Sequence, residues 1–556
     1  MEFNQNNIGY VTGGSLTEGF RIRLTVPAYK VQEGGFIVIE SGDYKFYGIV
    51  TDLRLCAADP RFSENQIESR FPDEISSVLK DETLYTEMTV MPNLMLNAGP
   101  EPGTPGYTDF LKSLEKKIPD PMPVKTLPAN HSYARLADAF DVCEIFGKPE
   151  DSDKFVIGTT REEGYSIRID LEKFIQRSAG IFGATGTGKS YLTRLILAGL
   201  IHSKKASVLI FDMHNEYAYG DTSPDTKKSV PGLKDKLSGL VKVCSLGTGG
   251  QISKKMPDFD LVLEQSDIYP EDILMLSNEL NLRDTTANTL AALEKCFGAQ
   301  SWFHNFMCMT TGDAEGSVTE WAESNGVNAM AAEALHSKLN RVWNKTYIVE
   351  KAPMNPINQI IKVLENGQSV VLSFGKYESD LDYLLVSNIL TRKIRDAWEK
   401  HTTDYNSGNG QRPKNLVIAV EEAHKLLNPE MASQTAFAVI AREMRKYFVT
   451  LLVIDQRPSK IYDEVMSQLG TRISGWLGDD ADIAAVLSGL SGRDALRGML
   501  AKLQPKEEVL LLGYGVPMPL PVRSQRYDDH FWKELLKNDP VLPFDPDSKK
   551  DWINND

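Results

Sequence analysis

The sequence predicts an α/β fold, in which a small N-terminal β-barrel precedes a parallel sheet that helices cover on both faces. From about Phe155 onward, apolar strand candidates alternate with helical segments, which is typical of β-α-β proteins. Before residue 97, the chain instead contains short strand candidates rich in β-branched and aromatic residues, and residues 20–26 alternate with period two. That pattern favours a small antiparallel barrel or sandwich.

Each strand candidate is a short apolar run bounded by turn residues. The barrel candidates are residues 8–11, 20–26, 36–40, 46–55 and 84–90. The sheet candidates are residues 155–157, 166–171, 179–182, 207–211, 241–243, 369–374, 416–420, 450–454 and 509–512.

Composition shifts divide the chain into six predicted regions. Proline and glycine cluster at 97–106 and again at 119–128, which indicates loop or linker. Residues 268–349 contain no strand candidate and have leucine spacings that suit helices. We therefore expect a barrel at 1–96, an irregular linker at 97–153, an α/β core at 154–267 and 350–519, a helical insertion at 268–349, and a C-terminal arm at 520–556 with one short helix.

The composition bounds the function. The 556 residues include 61 Lys and Arg against 76 Asp and Glu, a formal net charge of −15, which excludes a generally basic nucleic-acid binder. Five scattered cysteines favour reduced thiols over a disulfide framework. No apolar run approaches the ~20 residues that cross a bilayer, and the N-terminal sequence lacks signal-peptide features. We therefore expect a cytoplasmic protein without a membrane partner.

The strongest motif follows the strand candidate 179–182 and precedes a helical segment that starts near Tyr191. It has the form G-x4-G-K-S, and its residues are Gly183, Ala184, Thr185, Gly186, Thr187, Gly188, Lys189 and Ser190. In such a P-loop, backbone N–H groups cradle phosphates, the lysine reaches the β- and γ-phosphates, and the hydroxyl binds Mg²⁺. The alternative is an ordinary glycine-rich turn, which the strand-turn-helix context disfavours. The motif thus predicts a P-loop (RecA-like) ATPase core that binds ATP and Mg²⁺.

A P-loop needs an acidic partner at the end of another buried strand. The apolar run 416–420 ends in Glu421 and Glu422, of which the first can bind Mg²⁺ and the second can polarise the attacking water. The alternative is a strand that ends in a solvated first helical turn, where glutamate is common. Paired acids favour hydrolysis over phosphoryl transfer to a metabolite.

Three further groups of polar residues are candidates for the same site. Gln456 follows the strand candidate 450–454 and can bond the γ-phosphate or the water, or can simply be a turn residue before a proline. Arg442 and Arg445 are three residues apart, and form either an arginine finger or a solvated basic face. Asp212 and Glu216 follow the strand candidate 207–211, at the edge where open α/β sheets bind ligands.

Together these motifs resemble those of HerA, a family of hexameric ATPases and DNA translocases in the FtsK-HerA group. The resemblance covers most of the chain, including an N-terminal barrel like that of the family, although 97–154 and the last segment match loosely. The motifs that carry it, in chain order, are 183–190, 212–217, 421–424, 442–447 and 456–458.

The resemblance implies a role for each candidate residue. Lys189 and Ser190 would hold phosphates and Mg²⁺, Glu421 the metal and Glu422 the water, with Gln456 as a sensor of hydrolysis. Arg177 would act on a neighbouring subunit's nucleotide, and Arg442 and Arg445 would lie at the subunit boundary. The nucleotide-binding residues would be Gly183, Ala184, Thr185, Gly186, Thr187, Gly188, Lys189, Ser190, Tyr191, Asp212 and Glu216.

Two positions depart from the family pattern. Asn215 stands where the family usually has glycine, and Asp455 replaces a small hydroxyl residue before Gln456. Neither change disables hydrolysis on physical grounds. We expect Asp455 to add negative charge near the γ-phosphate and to tune the rate.

The resemblance further implies a homo-hexamer that moves double-stranded DNA in DNA repair or antiviral defence. A separate effector is expected, such as a NurA-like nuclease, a sirtuin-like NADase or another nuclease, because the chain has no nuclease motif of its own. The main alternative is a ring that scaffolds and activates the effector with little translocation. A conjugation or secretion ATPase is disfavoured by the lack of a membrane segment, and a metabolite kinase by the lack of an acceptor lid.

Overall fold

A computed structural model describes most of the chain. The described residues are 7–57, 84–100, 103–114, 119–151, 153–222, 229–249, 252, 255–312, 314–352, 354–430 and 436–537. The predicted fold class is confirmed: a closed N-terminal barrel precedes an α/β core that carries a helical insertion.

Within the described ranges, six strands close the N-terminal barrel in the order β2-β1-β7-β3-β4-β5, and β5 pairs back onto β2. The short β6 adds to the outside of β5. Inward-facing apolar side chains such as Ile22, Ile37 and Met88 fill the interior. The strands are β1 (Asn7–Ser15), β2 (Gly19–Leu24), β3 (Phe36–Ser41), β4 (Tyr44–Ala57), β5 (Leu84–Asn97), β6 (Met122–Pro123) and β7 (Tyr133–Leu136).

The expected boundary between barrel and linker at residue 96 is wrong. β7 lies between β1 and β3 and completes the barrel, which therefore ends at Leu136 rather than at residue 96. The two helices of this region are α1 (Tyr107–Leu114) and α2 (Ala139–Phe146). A capping box of Asp138 and Asp141 starts α2. The proline-rich stretch is thus an excursion from the barrel, because a barrel needs its last strand to leave no open edge.

The core is built on one sheet, with twelve strands in the described part of the chain, in the order β15-β14-β18-β11-β19-β20-β10-β21-β22-β23-β8-β9. Pairing is parallel from β15 to β21 and antiparallel from β21 to β9. The strands are β8 (Lys154–Thr159), β9 (Ser166–Asp170), β10 (Ala179–Phe182), β11 (Ser207–Asp212), β14 (Val241–Leu246), β15 (Phe259–Leu261), β18 (Ser369–Ser373), β19 (Leu416–Glu421), β20 (Val449–Asp455), β21 (Thr471–Ser474), β22 (Glu508–Gly513) and β23 (Leu520–Ser524).

Helices cover the parallel strands, and this explains their composition. Every residue of β10, β11, β19 and β20 is buried, so these strands are continuous apolar runs rather than alternating ones. The core helices are α3 (Leu171–Ile175), α4 (Lys189–His202), α5 (Leu233–Lys236), α11 (Pro356–Glu365), α12 (Asp380–Asn406), α13 (Ala436–Glu443), α14 (Asp463–Gln468), α15 (Asp480–Val486) and α16 (Arg493–Ala501). A two-stranded ribbon, β12 (Asp221–Thr222) and β13 (Ser229–Val230), lies outside the sheet.

The predicted insertion is helical in the structure. Its helices are α6 (Pro270–Leu274), α7 (Thr286–Phe297), α8 (Trp302–Met307), α9 (Val318–Ser324) and α10 (Ala329–Trp343). Fully buried Trp302 and Phe306 anchor its interior, and Trp302 Nε1 donates to the Ile268 carbonyl at 2.9 Å. The paired strands β16 (Leu263–Glu264) and β17 (Ile348–Val349) join the two ends of the insertion.

The expected C-terminal arm at 520–556 is only partly an arm. β23 pairs with β22 and with β8 inside the main sheet, so the core extends to Ser524. It is followed by the predicted short helix, α17 (Asp529–Leu535), whose Phe531 and Trp532 are buried. Residues 538–556 lie outside the described part. No helix in the described ranges is both long and apolar enough to span a bilayer.

Polar contacts to Glu33 connect the barrel to the core. Arg161 Nη2 lies 2.7 Å from Glu508 Oε2, and both side chains are nearly buried. The second nitrogen of Arg161 donates to the Glu33 carbonyl in the barrel at 2.9 Å. Lys502, which is 69% exposed, lies 2.6 Å from the carboxylate of the same Glu33. The barrel and the core are therefore joined here by a hydrogen bond and an exposed ion pair, both to Glu33, while the Arg161–Glu508 pair lies within the core and holds Arg161 in place.

Candidate nucleotide-binding site

Strand order brings the predicted site residues to one edge of the sheet. β20 lies between β10 and β19, and all three are parallel, so their carboxyl ends lie side by side. The predicted P-loop follows β10, Gln456 follows β20, and Glu421 and Glu422 end β19. Gln456, the residue after β20, therefore lies between the P-loop and the glutamate pair.

Glycine conformation shapes the loop after β10. Gly186 and Gly188 have φ of 78° and 88°, left-handed values that other residues adopt only at a cost. A Cβ on Gly186 would meet no atom within 4 Å, so this part of the loop borders open space. Gly188 is the N-cap of α4, a 14-residue helix whose first N–H groups and dipole favour an anion. The loop therefore forms the cradle that the motif predicts.

Lys189 begins α4 and points into the site. Its side chain is 7% exposed, and Nζ lies 3.9 Å from Glu422 Oε1. That buried Nζ has no hydrogen-bond partner among the described residues. A buried ammonium with three unused donors is costly unless an anion joins it. Ser190 follows on the first helical turn, half-buried, and Tyr191 packs partly against the core.

Glu421 lies deepest in the site. It is 4% exposed, and Oε1 accepts a hydrogen bond from Tyr217 at 3.0 Å. Burial, together with the nearby Asp212 and Glu216 carboxylates, raises the pKa of Glu421 to about 8. Its Oε2 and the Oε2 of Glu216 are both buried without hydrogen-bond partners in the described chain. Clustered carboxyl oxygens of this kind favour a bound cation.

Asp212 has a different role from the one predicted. Its carboxylate is fully buried and accepts the N–H groups of Glu216 at 2.8 Å and Tyr217 at 2.9 Å. Burial raises the pKa of Asp212 to about 6 despite these bonds. Asp212 thus organises the turn that presents Glu216 and Tyr217. Within this turn Asn215 has φ 56°, a conformation that glycine adopts freely and asparagine tolerates.

Glu422 and Gln456 face each other across the edge. Gln456 Nε2 donates to Glu422 Oε1 at 3.0 Å, and Gln456 Oε1 accepts from the hydroxyl of Thr185 in the P-loop. Gln456 therefore joins the loop to the glutamate, which suits a residue that senses what the loop binds. Glu422 itself has φ 46° and ψ 47°, a left-handed conformation that costs about 1–2 kcal/mol in a non-glycine residue.

The charge predicted for Asp455 is not presented to the site. Its carboxylate is fully buried and bonds His424, with Nδ1 of the ring at 3.0 Å from Oδ2. This contact raises the pKa of His424. Burial opposes ionisation of Asp455, but His424 offsets it and holds the pKa of Asp455 below its usual value. When His424 is protonated, the two charges therefore compensate each other.

The three candidate arginines are exposed and lie away from this P-loop. Arg177 precedes β10, at the opposite end of the strand from the loop, and stacks on the Tyr514 ring at 4.7 Å. Arg442 lies in the last turn of α13, 3.5 Å from Glu464. Arg445 follows in a 3-10 helix, Met444–Tyr447, so the α-helix ends between the two. Their geometry places none of them on the nucleotide cradle of their own chain.

The residues fit a nucleotide with Mg²⁺. The unpartnered Lys189 Nζ suits a phosphate, and the free oxygen of Glu421 suits a cation. No group of three or more His, Cys, Asp or Glu in the described ranges is arranged to hold a metal unaided. Mg²⁺ commonly takes one or two protein ligands and completes its shell with waters and phosphates. Ser190 and Glu421 would be those protein ligands.

Two contributors to the site were not predicted from the sequence. Lys506, with φ 68°, donates its backbone N–H to the Thr187 carbonyl at 3.1 Å and packs against Gly188. No motif marks this position, because the contact joins distant parts of the chain. Tyr383 donates to the backbone carbonyl of Glu421 at 2.7 Å and fixes the strand end from α12. All residues from 381 to 391 are buried, so no helical periodicity marks Tyr383 in the sequence.

Several known proteins are similar to this chain. Residues 155–394 match the family described as "Helicase HerA, central domain". The chain is 23% identical over 538 residues to the DNA double-strand break repair helicase HerA of Saccharolobus solfataricus, covering 96% of this chain and 94% of that protein. The HerA of Sulfurisphaera tokodaii is 22% identical over 555 residues, covering 96% and 95%. Among solved structures, VirB4 of Thermoanaerobacter pseudethanolicus is 17% identical, covering 68% of this chain and 98% of that one, with a TM-score of 0.42.

Proposed function

We propose that the chain, which is similar to HerA helicases along most of its length, is an ATP-hydrolysing translocase of double-stranded DNA. The observation that carries the proposal is the convergence of the P-loop, Glu421, Glu422 and Gln456 at one sheet edge, around the unpartnered ammonium of Lys189.

Each residue has a role in hydrolysis. The P-loop N–H groups and Lys189 would bind the phosphates, and Ser190 and Glu421 would hold Mg²⁺, which would neutralise charge on the phosphates. Glu422 accepts a proton from the attacking water, and its amide neighbour Gln456 keeps the carboxylate directed toward the P-loop. Because Gln456 also contacts Thr185, it can respond to occupation of the loop.

Two variants test this assignment. Glu422→Gln should lower kcat for ATP by about 10²- to 10⁴-fold, while binding of a fluorescent ATP analogue persists. Lys189→Ala should abolish both binding and hydrolysis. Lys173→Ala, which removes an exposed lysine 3.8 Å from Asp170, is the matched control and should change neither. A fully active Glu422→Gln protein would refute the role of Glu422.

A homo-hexameric ring belongs to the same proposal. Arg177, Arg442 and Arg445 are exposed and lie away from their own cradle, as residues acting on a neighbouring subunit would. The net charge of −15 leads us to expect weak DNA binding by separate subunits and strongly salt-dependent binding by the ring. Electron micrographs with and without ATP, and DNA titrations of both forms, test this. Equal affinity of subunit and ring would contradict it.

The partner would be a separate effector, either a nuclease in DNA end processing or a nuclease or NADase in antiviral defence, in the cytoplasm. A triplex-displacement assay on the isolated protein separates translocation from the alternative scaffold. ATP-dependent displacement supports the translocase. Activation of an added NurA-like nuclease or sirtuin-like NADase, without displacement, would favour the scaffold.

A further inference from the structure

Asp455, the last residue of β20, joins the two strand ends that carry the site. Its Oδ2 accepts the backbone N–H of His424, after β19, at 2.6 Å. Its Oδ1 accepts the backbone N–H of Arg457, after β20, at 2.6 Å. The side chain is fully buried, so neither bond competes with water. One carboxylate therefore closes the turns that follow both strands.

These two turns contain Glu422 and Gln456. Glu422 is held in a left-handed conformation, which persists only where the surroundings impose it. The bond from the His424 N–H to Asp455 secures the chain two residues after Glu422. The bond from the Arg457 N–H closes an Asx-type turn around Gln456. As a result, the Gln456 amide meets the Glu422 carboxylate at 3.0 Å.

The His424 ring completes the arrangement. Nδ1 lies 3.0 Å from Asp455 Oδ2 and 3.7 Å from Glu422 Oε2. A hydroxyl in place of Asp455 has a single oxygen, which cannot reach two backbone donors and balance the imidazolium as a carboxylate does. The departure from the family pattern at this position is therefore matched by a set of contacts that only a carboxylate makes.

We propose that Asp455 is a positioning residue, which holds Glu422 and Gln456 in register for hydrolysis through the backbone N–H groups of His424 and Arg457. The inference rests on the proposed ATPase function and deepens it. The hydrogen bonds of its carboxylate go to His424 and Arg457, so it acts on Glu422 and Gln456 through geometry. Misplacement of a catalytic group by about 1 Å can cost about 10²-fold in rate.

The test compares Asp455→Asn and Asp455→Ser with wild type in steady-state ATP hydrolysis and in binding of a fluorescent ATP analogue. In Asp455→Asn an amide NH₂ replaces one acceptor and opposes a backbone N–H. We expect kcat to fall about 10- to 100-fold with less than about 3-fold change in KM and in analogue affinity. Should Asp455→Asn fail to fold, Asp455→Ser, which keeps one acceptor, carries the same expectation.

Asp528→Asn is the matched control, because Asp528 also accepts two backbone N–H groups, at the start of α17, and bonds neither Glu422 nor Gln456. It should lower thermal stability without changing kcat. In single-turnover measurements, Asp455→Asn should add little to the defect of Glu422→Gln, since both disable the same base. Additive defects, or a normal kcat in Asp455→Asn, overturn the inference. Absence of hydrolysis in wild type would instead refute the proposed function.

Discussion

Because the ammonium of Lys189 is buried, replacing Lys189 should affect nucleotide binding without affecting the free energy of unfolding of the ligand-free protein. At 3.9 Å, its attraction to Glu422 is about 4 kcal/mol at an effective dielectric constant of ~20. Burying an ammonium without hydrogen bonds costs several kcal/mol, which offsets this gain. Glu422 keeps its bond from Gln456 when the lysine is removed. Lys189→Met should therefore change the free energy of unfolding of the ligand-free protein by less than about 1 kcal/mol.

The assay is urea unfolding with and without ATP and Mg²⁺. At a nucleotide concentration of about 100 Kd, the free energy of unfolding of wild type should rise by about 2.7 kcal/mol, and that of Lys189→Met should not change. Lys173→Met serves as control, because Lys173 lies 3.8 Å from Asp170 but is 55% exposed, so its loss should cost less than about 1 kcal/mol and leave the ATP effect intact. Loss of about 3 kcal/mol in ligand-free Lys189→Met would show that attraction to Glu422 outweighs the desolvation cost, and would refute the reasoning.

Three further variants probe the fold around the site. Arg161→Met should lower the free energy of unfolding by about 3 kcal/mol, since it removes both the 2.7 Å ion pair to Glu508 and the hydrogen bond to the Glu33 carbonyl. Lys502→Met, which removes only the exposed ion pair to Glu33, should cost less than about 1 kcal/mol in urea titrations. The pKa of His424 is raised in the folded protein, so the protonated ring adds fully to the free energy of unfolding below the unfolded pKa of about 6.5, and this stabilisation is lost as the pH rises through the folded pKa. The free energies of unfolding of wild type and His424→Gln should therefore converge at alkaline pH. A difference between them that does not change with pH would contradict this. Asn215→Ala should be less stable than Asn215→Gly by about 1 kcal/mol because of the left-handed backbone, and equal melting temperatures would disprove it.

Some of the fold follows directly from the sequence. Strands covered on both faces are continuous apolar runs, and β10, β11, β19 and β20 were all predicted for that reason. The P-loop is equally local, since its glycines, Lys189 and Ser190 lie in one turn between a strand and a helix. Local signals of this kind need no knowledge of the rest of the chain.

Other elements depend on partners far along the chain. β7 has only four residues, Tyr133–Leu136, two of them buried, and follows a proline-rich stretch, so neither length nor periodicity marks it. It is a strand because β1 and β3 each offer it an edge. β23 is similar, since Pro521 within it argues against a central strand. Its pairing with β22 and β8 decides the outcome.

The relation of Asp455 to Glu422 depends on strand register. Val420 pairs with Val453 and Glu421 with Ile454, so the residues that follow, Glu422 and Asp455, come level where β19 and β20 end. A shift by one residue would turn every side chain of one strand to the other face and separate the carboxylate from the His424 N–H. Both strands are uniformly apolar, so burial favours no register over another. The polar contacts at the ends of the two strands select the register. They connect residues that belong to separate sequence motifs.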